Sequence, residues 1–220
     1  SPGPPRFILA KTSWSICRRS ARSPLRVNFI VPDESARTVL FDYINPRRAE
    51  WPKANYIVGN PPFLGSKRMK DALGDGYTKA LHKAWRGLVP GAADFVFYWW
   101  KKAADLVATG DCIRFGFITT NSLTQSTARE ITESFLSDHK NPGHLAFAIP
   151  DHPWIDSVDG AAVRISMTTG AKGAREGILA LVKRETVGAF GELDVLLSET
   201  HGIIHSDLSI GAAATSTVPL

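Results

Sequence analysis

The segment best equipped for chemistry is Tyr56-Ile-Val-Gly-Asn-Pro-Pro-Phe63. Small Gly59 lets a ligand come close to the backbone. Asn60 offers a side-chain carbonyl. Pro61 has no N–H, so its peptide group presents only an acceptor, and Pro62 keeps the turn stiff. Two acceptors side by side on a stiff turn can hold an amino group through both of its hydrogens, and Phe63 can stack on the flat ring that carries it. This suits the exocyclic amine of adenine. That amine is a poor nucleophile because its lone pair is delocalised into the ring. Two acceptors favour a pyramidal nitrogen and concentrate the lone pair toward an incoming methyl group. No strong base is needed first, because the proton becomes acidic as the methyl arrives. Asn-Pro-Pro-aromatic arises by chance in a chain of this length with a probability of roughly a thousandth. The plainer alternative is a turn that only closes a strand.

Other residues with chemical potential surround this turn. Lys67, Arg68 and Lys70 follow it directly and suit either phosphate contact or simple solvation. Thr120, Asn121 and Ser122 follow a strand at its C-terminal end, where ligands sit in open α/β sheets, although a turn or helix cap would use the same types. Trp154 lies in the loop before the late hairpin, either as a second aromatic for a flat ring or as the edge of a core. Asp94 suits a cofactor edge or, more simply, a carboxylate at a helix N-terminus. Phe95, Phe97, Tyr98, Trp99 and Trp100 read as core. His201 and His205 are four apart but have no third ligand nearby, so no metal site is expected.

The elements that must position these residues alternate. Val27 to Val31 and Val39 to Ile44 read as short strands. Tyr56 to Gly59 reads as a buried strand ended by the two prolines, which cannot donate to a sheet. Thr78 to Leu88 reads as a helix. Ala92 to Ala108 reads as a longer one on its 3.6 period, stopped by Gly110-Asp111. Asp71-Ala-Leu-Gly-Asp-Gly76 reads as a turn between helices. Cys112 to Thr119 is strand-like, Thr127 to Ser137 a helix with Ser126 as its cap, and Leu145 to Ile149 a strand. Ala162 to Thr168 and Ile178 to Val182 suggest an antiparallel hairpin closed by Gly170 to Gly177. The order predicts an α/β fold, a mostly parallel sheet with a C-terminal antiparallel hairpin. Three regions are expected: a basic segment over 1–50, a catalytic unit over 51–188, and the start of a further module over 189–220.

Composition bounds the rest. The chain has 220 residues, 44% hydrophobic and 21% charged, with a formal net charge of +5. That composition is globular, and the modest positive excess is compatible with a nucleic-acid partner. Residues 1–26 carry six basic side chains and no acid, a solvated flank or a phosphate-contacting arm. The longest uninterrupted apolar run, Phe95 to Trp100, is far too short to cross a bilayer. Two cysteines, Cys17 and Cys112, allow one bridge at most, and a reducing cytoplasm is the expectation.

Several separate blocks resemble one family. The run Asn60-Pro-Pro-Phe-Leu-Gly-Ser-Lys-Arg-Met69, then Leu73-Gly-Asp-Gly-Tyr77, Val89-Pro-Gly-Ala-Ala-Asp94 and Tyr98-Trp-Trp100 are similar to the methyltransferase domain of MmeI-like type IIL/IIG restriction–modification proteins. So are Phe117-Ile-Thr-Thr-Asn-Ser122 and His152-Pro-Trp-Ile-Asp-Ser-Val-Asp-Gly-Ala-Ala-Val-Arg-Ile-Ser166. The resemblance covers about residues 50–185. It implies a Rossmann-like fold dependent on S-adenosylmethionine (SAM), and N6-methylation of adenine at a specific site in double-stranded DNA. It implies that Asn60 and Pro61 hold the amine, that Phe63 stacks on the flipped base, and that Trp154 supports the other face. The family also has a glycine-rich SAM loop upstream of the Asn-Pro-Pro turn, yet residues 1–55 contain one glycine, Gly3. A nuclease centre of the form Glu-x-Lys occurs nowhere in the sequence. The expectation is therefore a catalytic half without the cofactor half, whose partners include the SAM-binding and nuclease regions of the same protein. Similar turns occur in amino-methyltransferases for protein glutamine or RNA guanine. A non-catalytic DNA-binding fragment is the other alternative.

Overall fold

The computed structural model describes residues 7–11, 28–30, 39–40, 51, 54–154, 163–187 and 193–211. Nine strands form one sheet: β1 (Phe7–Lys11), β2 (Asn28–Ile30), β3 (Val39–Leu40), β4 (Tyr56–Gly59), β5 (Arg114–Thr120), β6 (Gly143–Trp154), β7 (Val163–Lys172), β8 (Gly177–Val187) and β9 (Leu193–Gly202). Their order across the sheet is β3-β2-β1-β4-β5-β7-β6-β8-β9. Four helices complete the described fold: α1 (Met69–Leu73), α2 (Asp75–Ala84), α3 (Val96–Thr109) and α4 (Ser126–Leu136).

The sheet is mixed, which corrects the expectation of a mostly parallel one. Only β1–β4, β4–β5 and β6–β8 pair in parallel, and the other five pairings are antiparallel. The expected C-terminal hairpin also differs. β7 and β8 follow each other in sequence but do not pair, because β6 lies between them. β6 runs antiparallel to β7 and parallel to β8. The chain crosses the start of β6 in a short turn, where Gly173 N–H donates to the Pro142 carbonyl at 2.7 Å. The ring of His144 holds the Gly173 carbonyl at 2.6 Å. Burial lowers the His144 pKa, the bond to Gly173 works against it, and the neighbouring Arg114 and Arg175 add to the lowering.

Two stretches expected outside the catalytic unit join this sheet. Phe7–Lys11, within the basic flank, pairs in parallel with β4. Leu193–Gly202, expected to open a further module, pairs along β8 as the edge strand.

The core forms where α3 packs on β5 and β7. Its buried positions are Val96, Phe97, Tyr98, Trp100, Ala103, Ala104 and Val107, the stripe its 3.6 period requires. Trp100 meets Phe115 of β5 and Phe135 of α4 edge-on, at 5.1 and 5.7 Å between ring centroids. Its indole N–H donates to Thr168 Oγ1 at 3.0 Å, so the polar edge of this buried ring is satisfied. α3 starts later than its periodicity suggests, because Pro90 to Asp94 form a turn in which Ala93 N–H donates to the Pro90 carbonyl. α2 opens earlier than expected, at Asp75. Gly74 joins it to α1 with φ of 87°, a conformation that favours glycine. Ser126 is the first residue of α4, not its cap. Cys112 is buried and free, and burial raises its thiol pKa; Cys17 lies outside the described residues. Among the described residues no helix is long and apolar enough to cross a membrane.

Candidate active site

β4, β5 and β6 all run in one direction relative to the sheet, so their C-terminal ends share one edge. Open α/β sheets bind ligands at such an edge. Asn60, Pro61, Pro62 and Phe63 leave the end of β4. Asn121 follows the end of the adjacent β5, in a 3-10 turn over Asn121–Thr124. Trp154, expected in a loop, is instead the last residue of β6, which runs on past Ile149 and pairs Trp154 with Val163 of β7. The structure thus gathers the expected residues on one edge but not at one point. β5 and β7 separate β4 from β6, three strand spacings or roughly 14 Å.

The turn itself is tightly held. Pro61 and Pro62 are buried, and Asn60 and Phe63 are half-buried. The Asn60 side-chain oxygen is buried. Phe63 packs against the core cluster. The Pro62 carbonyl accepts Leu64 N–H at 3.1 Å. The Pro61 carbonyl accepts no hydrogen bond among the described residues. Lys67 and Arg68 sit exposed on a 3-10 turn over Ser66–Arg68, and Lys70 opens onto solvent from α1. Lys70 lies 3.5 Å from Asp75.

Asp94 ties this turn to the rest of the edge. One of its oxygens, Oδ1, accepts the backbone N–H of Ser66 at 3.1 Å. The other, Oδ2, accepts the Ser122 hydroxyl at 2.8 Å and lies 3.3 Å from the Thr120 hydroxyl. The two hydroxyl oxygens are 2.5 Å apart. Beside it, Phe95 N–H donates to the Leu64 carbonyl at 2.9 Å. Sequence reasoning placed Asp94, Thr120 and Ser122 near a site but gave no sign that they meet, and Ser66 was missed altogether. On the far side, Asn121 Nδ2 donates weakly to Asp151 at 3.5 Å, and Asp151 also accepts Arg164 Nε at 2.7 Å. Arg164 in turn reaches Glu185 at 2.8 Å.

Behind the turn lies an aromatic cluster. Phe95 meets Trp99 edge-on at 4.5 Å and Tyr77 edge-on at 6.4 Å. Burial pushes the Tyr77 and Tyr98 phenols up to about 12, so both stay protonated near neutral pH. Among the described residues no three His, Cys, Asp or Glu side chains converge to hold a metal ion.

Comparison with known proteins places this arrangement in a family. The sequence profile of the MmeI DNA-methyltransferase domain matches residues 15–179, well over half of the chain, and the chain belongs to that family. Among solved structures it is similar to the type IIL restriction–modification enzyme MmeI in complex with DNA. That match has a TM-score of 0.55 and 25% identity over 72% of this chain and 20% of the other. It is also similar to the M protein of the type I restriction enzyme EcoKI, with a TM-score of 0.41 and 11% identity over 64% of this chain and 28% of the other. The chain therefore spans about a fifth of the length of MmeI. No curated protein matches the sequence.

Proposed function

We propose that this chain is the catalytic part of a DNA methyltransferase of a restriction–modification protein, acting on the N6 amine of adenine in double-stranded DNA. One observation carries the reading: the Asn60-Pro61-Pro62-Phe63 turn stands at the C-terminal end of a central strand, with its Pro61 carbonyl accepting no hydrogen bond among the described residues. Membership of the MmeI DNA-methyltransferase family and likeness to an enzyme in complex with DNA support it.

In this reading the target adenine leaves the duplex, because its amine is otherwise engaged in pairing. Asn60 Oδ1 and the Pro61 carbonyl accept its two N–H groups, and Phe63 stacks on the ring. Base–aromatic stacking contributes about 1–3 kcal/mol, enough to offset much of the unstacking cost. The Asn60 oxygen is buried, so an amine that reaches it leaves water behind, and hydrogen bonds made there are stronger than in solvent. Trp154 and Asn121 line the same edge toward the substrate, and Lys67, Arg68 and Lys70 face phosphates.

SAM would supply the methyl group. The sequence of residues 1–55 holds no glycine-rich loop of the kind that cradles such a cofactor, and Asp94 already holds Ser66 and Ser122. The reading therefore assigns the cofactor loop to another region of the same protein. The test is product analysis. The full protein carrying this chain is incubated with radiolabelled SAM and, separately, duplex DNA, RNA and protein acceptors. Label recovered as N6-methyladenine in DNA is the expected result. Label in glutamine or RNA guanine, or none in DNA, contradicts it.

A further inference from the structure

We infer that Asp94 is a positioning residue that locks the Asn-Pro-Pro-Phe turn to the end of β5, rather than a ligand of the cofactor; this rests on the function proposed above. The geometry is a fork. One carboxylate oxygen holds the backbone of Ser66, three residues beyond Phe63, and the other receives Ser122 just past the end of β5 and lies near Thr120, the last residue of that strand. These partners are 26 to 28 residues away in sequence. The adjacent Phe95 N–H adds a second tie, to the Leu64 carbonyl. Residues 64 and 66 are thus pinned together to positions 94 and 95 at the start of α3, whose next turn buries Phe97, Tyr98 and Trp100 in the core.

The physical consequence concerns Asn60 and Pro61. β4 supplies only four residues of ladder, ending at Gly59, so the strand alone fixes just one end of the turn. Two acceptors that must meet two N–H groups of one amine need their relative placement fixed closely, and a shift of about 1 Å can cost on the order of a hundredfold in rate. Asp94 fixes the other end. Charged acceptors make the stronger hydrogen bonds, and the Ser66 N–H and the Ser122 hydroxyl converge on this carboxylate, with the Thr120 hydroxyl beside Ser122. Its place just before α3 puts its negative charge at the positive end of that helix.

The test is steady-state methyl transfer by the full protein carrying this chain, with rates normalised to the fraction of enzyme that binds DNA. Asp94→Ala cuts the fork, whereas Asp94→Asn keeps the shape and an acceptor for Ser66. Positioning predicts that Asp94→Ala lowers kcat about 30- to 100-fold, with KM for SAM and for DNA within about threefold of the parent. Asp94→Asn recovers most of the loss. Ser122→Ala on top of Asp94→Ala costs little more, because the bond is already gone. A tenfold or greater rise in KM for SAM with kcat nearly unchanged overturns the inference and makes Asp94 a cofactor ligand. Parent-like kinetics for Asp94→Ala overturn it as well, and so does an equal loss in Asp94→Asn. The parent enzyme separates this from the underlying reading: if it makes N6-methyladenine while Asp94→Ala is silent, only the positioning role falls. If the parent makes none, both fall.

Discussion

Lys67 and Arg68 stand exposed on the 3-10 turn that follows Phe63, with no ion pair among the described residues, whereas Lys70 shares Asp75 with Lys79. If the catalytic edge faces DNA, the first two are placed to meet phosphates. Each phosphate contact contributes nearly one unit to the slope of log affinity against log salt. Lys67→Ala and Arg68→Ala are each expected to flatten that slope by about 0.9, and Lys70→Ala by less. Titration of the full protein with duplex DNA at several salt concentrations measures this, and unchanged slopes at 67 and 68 would remove them from the interface. At this scale the sequence was informative where neighbours in the chain are neighbours in space. The Asn60–Phe63 turn was readable because a strand end, two prolines and an aromatic follow one another directly. The Asp94 fork was not, because its donors come from Ser66, Thr120 and Ser122, and no local pattern encodes a meeting across that separation.

Among the elements, α2, α3 and α4 were legible within a few residues, most clearly α3 on its apolar period, whereas α1 was not expected and Asp71 to Gly76, read as a turn, is shared between α1, Gly74 and α2. The pairing of late strands was not. Alternation and a glycine-rich turn identify β7 and β8 as strands, but they cannot say that the twelve residues of β6 slide between them. The physical signature of that insertion is Gly177. A Cβ there would stand 2.0 Å from the Leu145 carbonyl oxygen, a backbone atom that cannot swing aside. Gly177→Ala is therefore expected to destabilise the protein by at least about 2 kcal/mol, since forcing atoms into a packed site displaces backbone. Gly76, near the start of α2, has nothing within 4 Å of its virtual Cβ. Gly76→Ala is expected to be neutral or to stabilise by up to about 1 kcal/mol through helix propensity. Denaturant melts of both variants against the parent check the pair, and a parent-like Gly177→Ala would mean that β8 does not cross β6 so closely.

At the scale of the whole molecule, the mixed sheet still does what the fold needs: it sends the ends of β4, β5 and β6 to one edge and backs them with α3 and α4. The α/β alternation foretold that edge. It did not foretell β1, because a basic, acid-poor flank hides a five-residue strand, or the ribbon of β8 and β9 that extends the sheet beyond β6. The chain covers about a fifth of MmeI's length. What this chain is proposed to contribute is the grip on the amine, and removing that grip is the most direct test. Asn60→Ala in the full protein, assayed in parallel for DNA binding and for N6-methyladenine, is expected to bind DNA within about threefold of the parent while losing methyl transfer by at least about a hundredfold. Transfer at the parent rate, with or without weakened binding, would contradict the account.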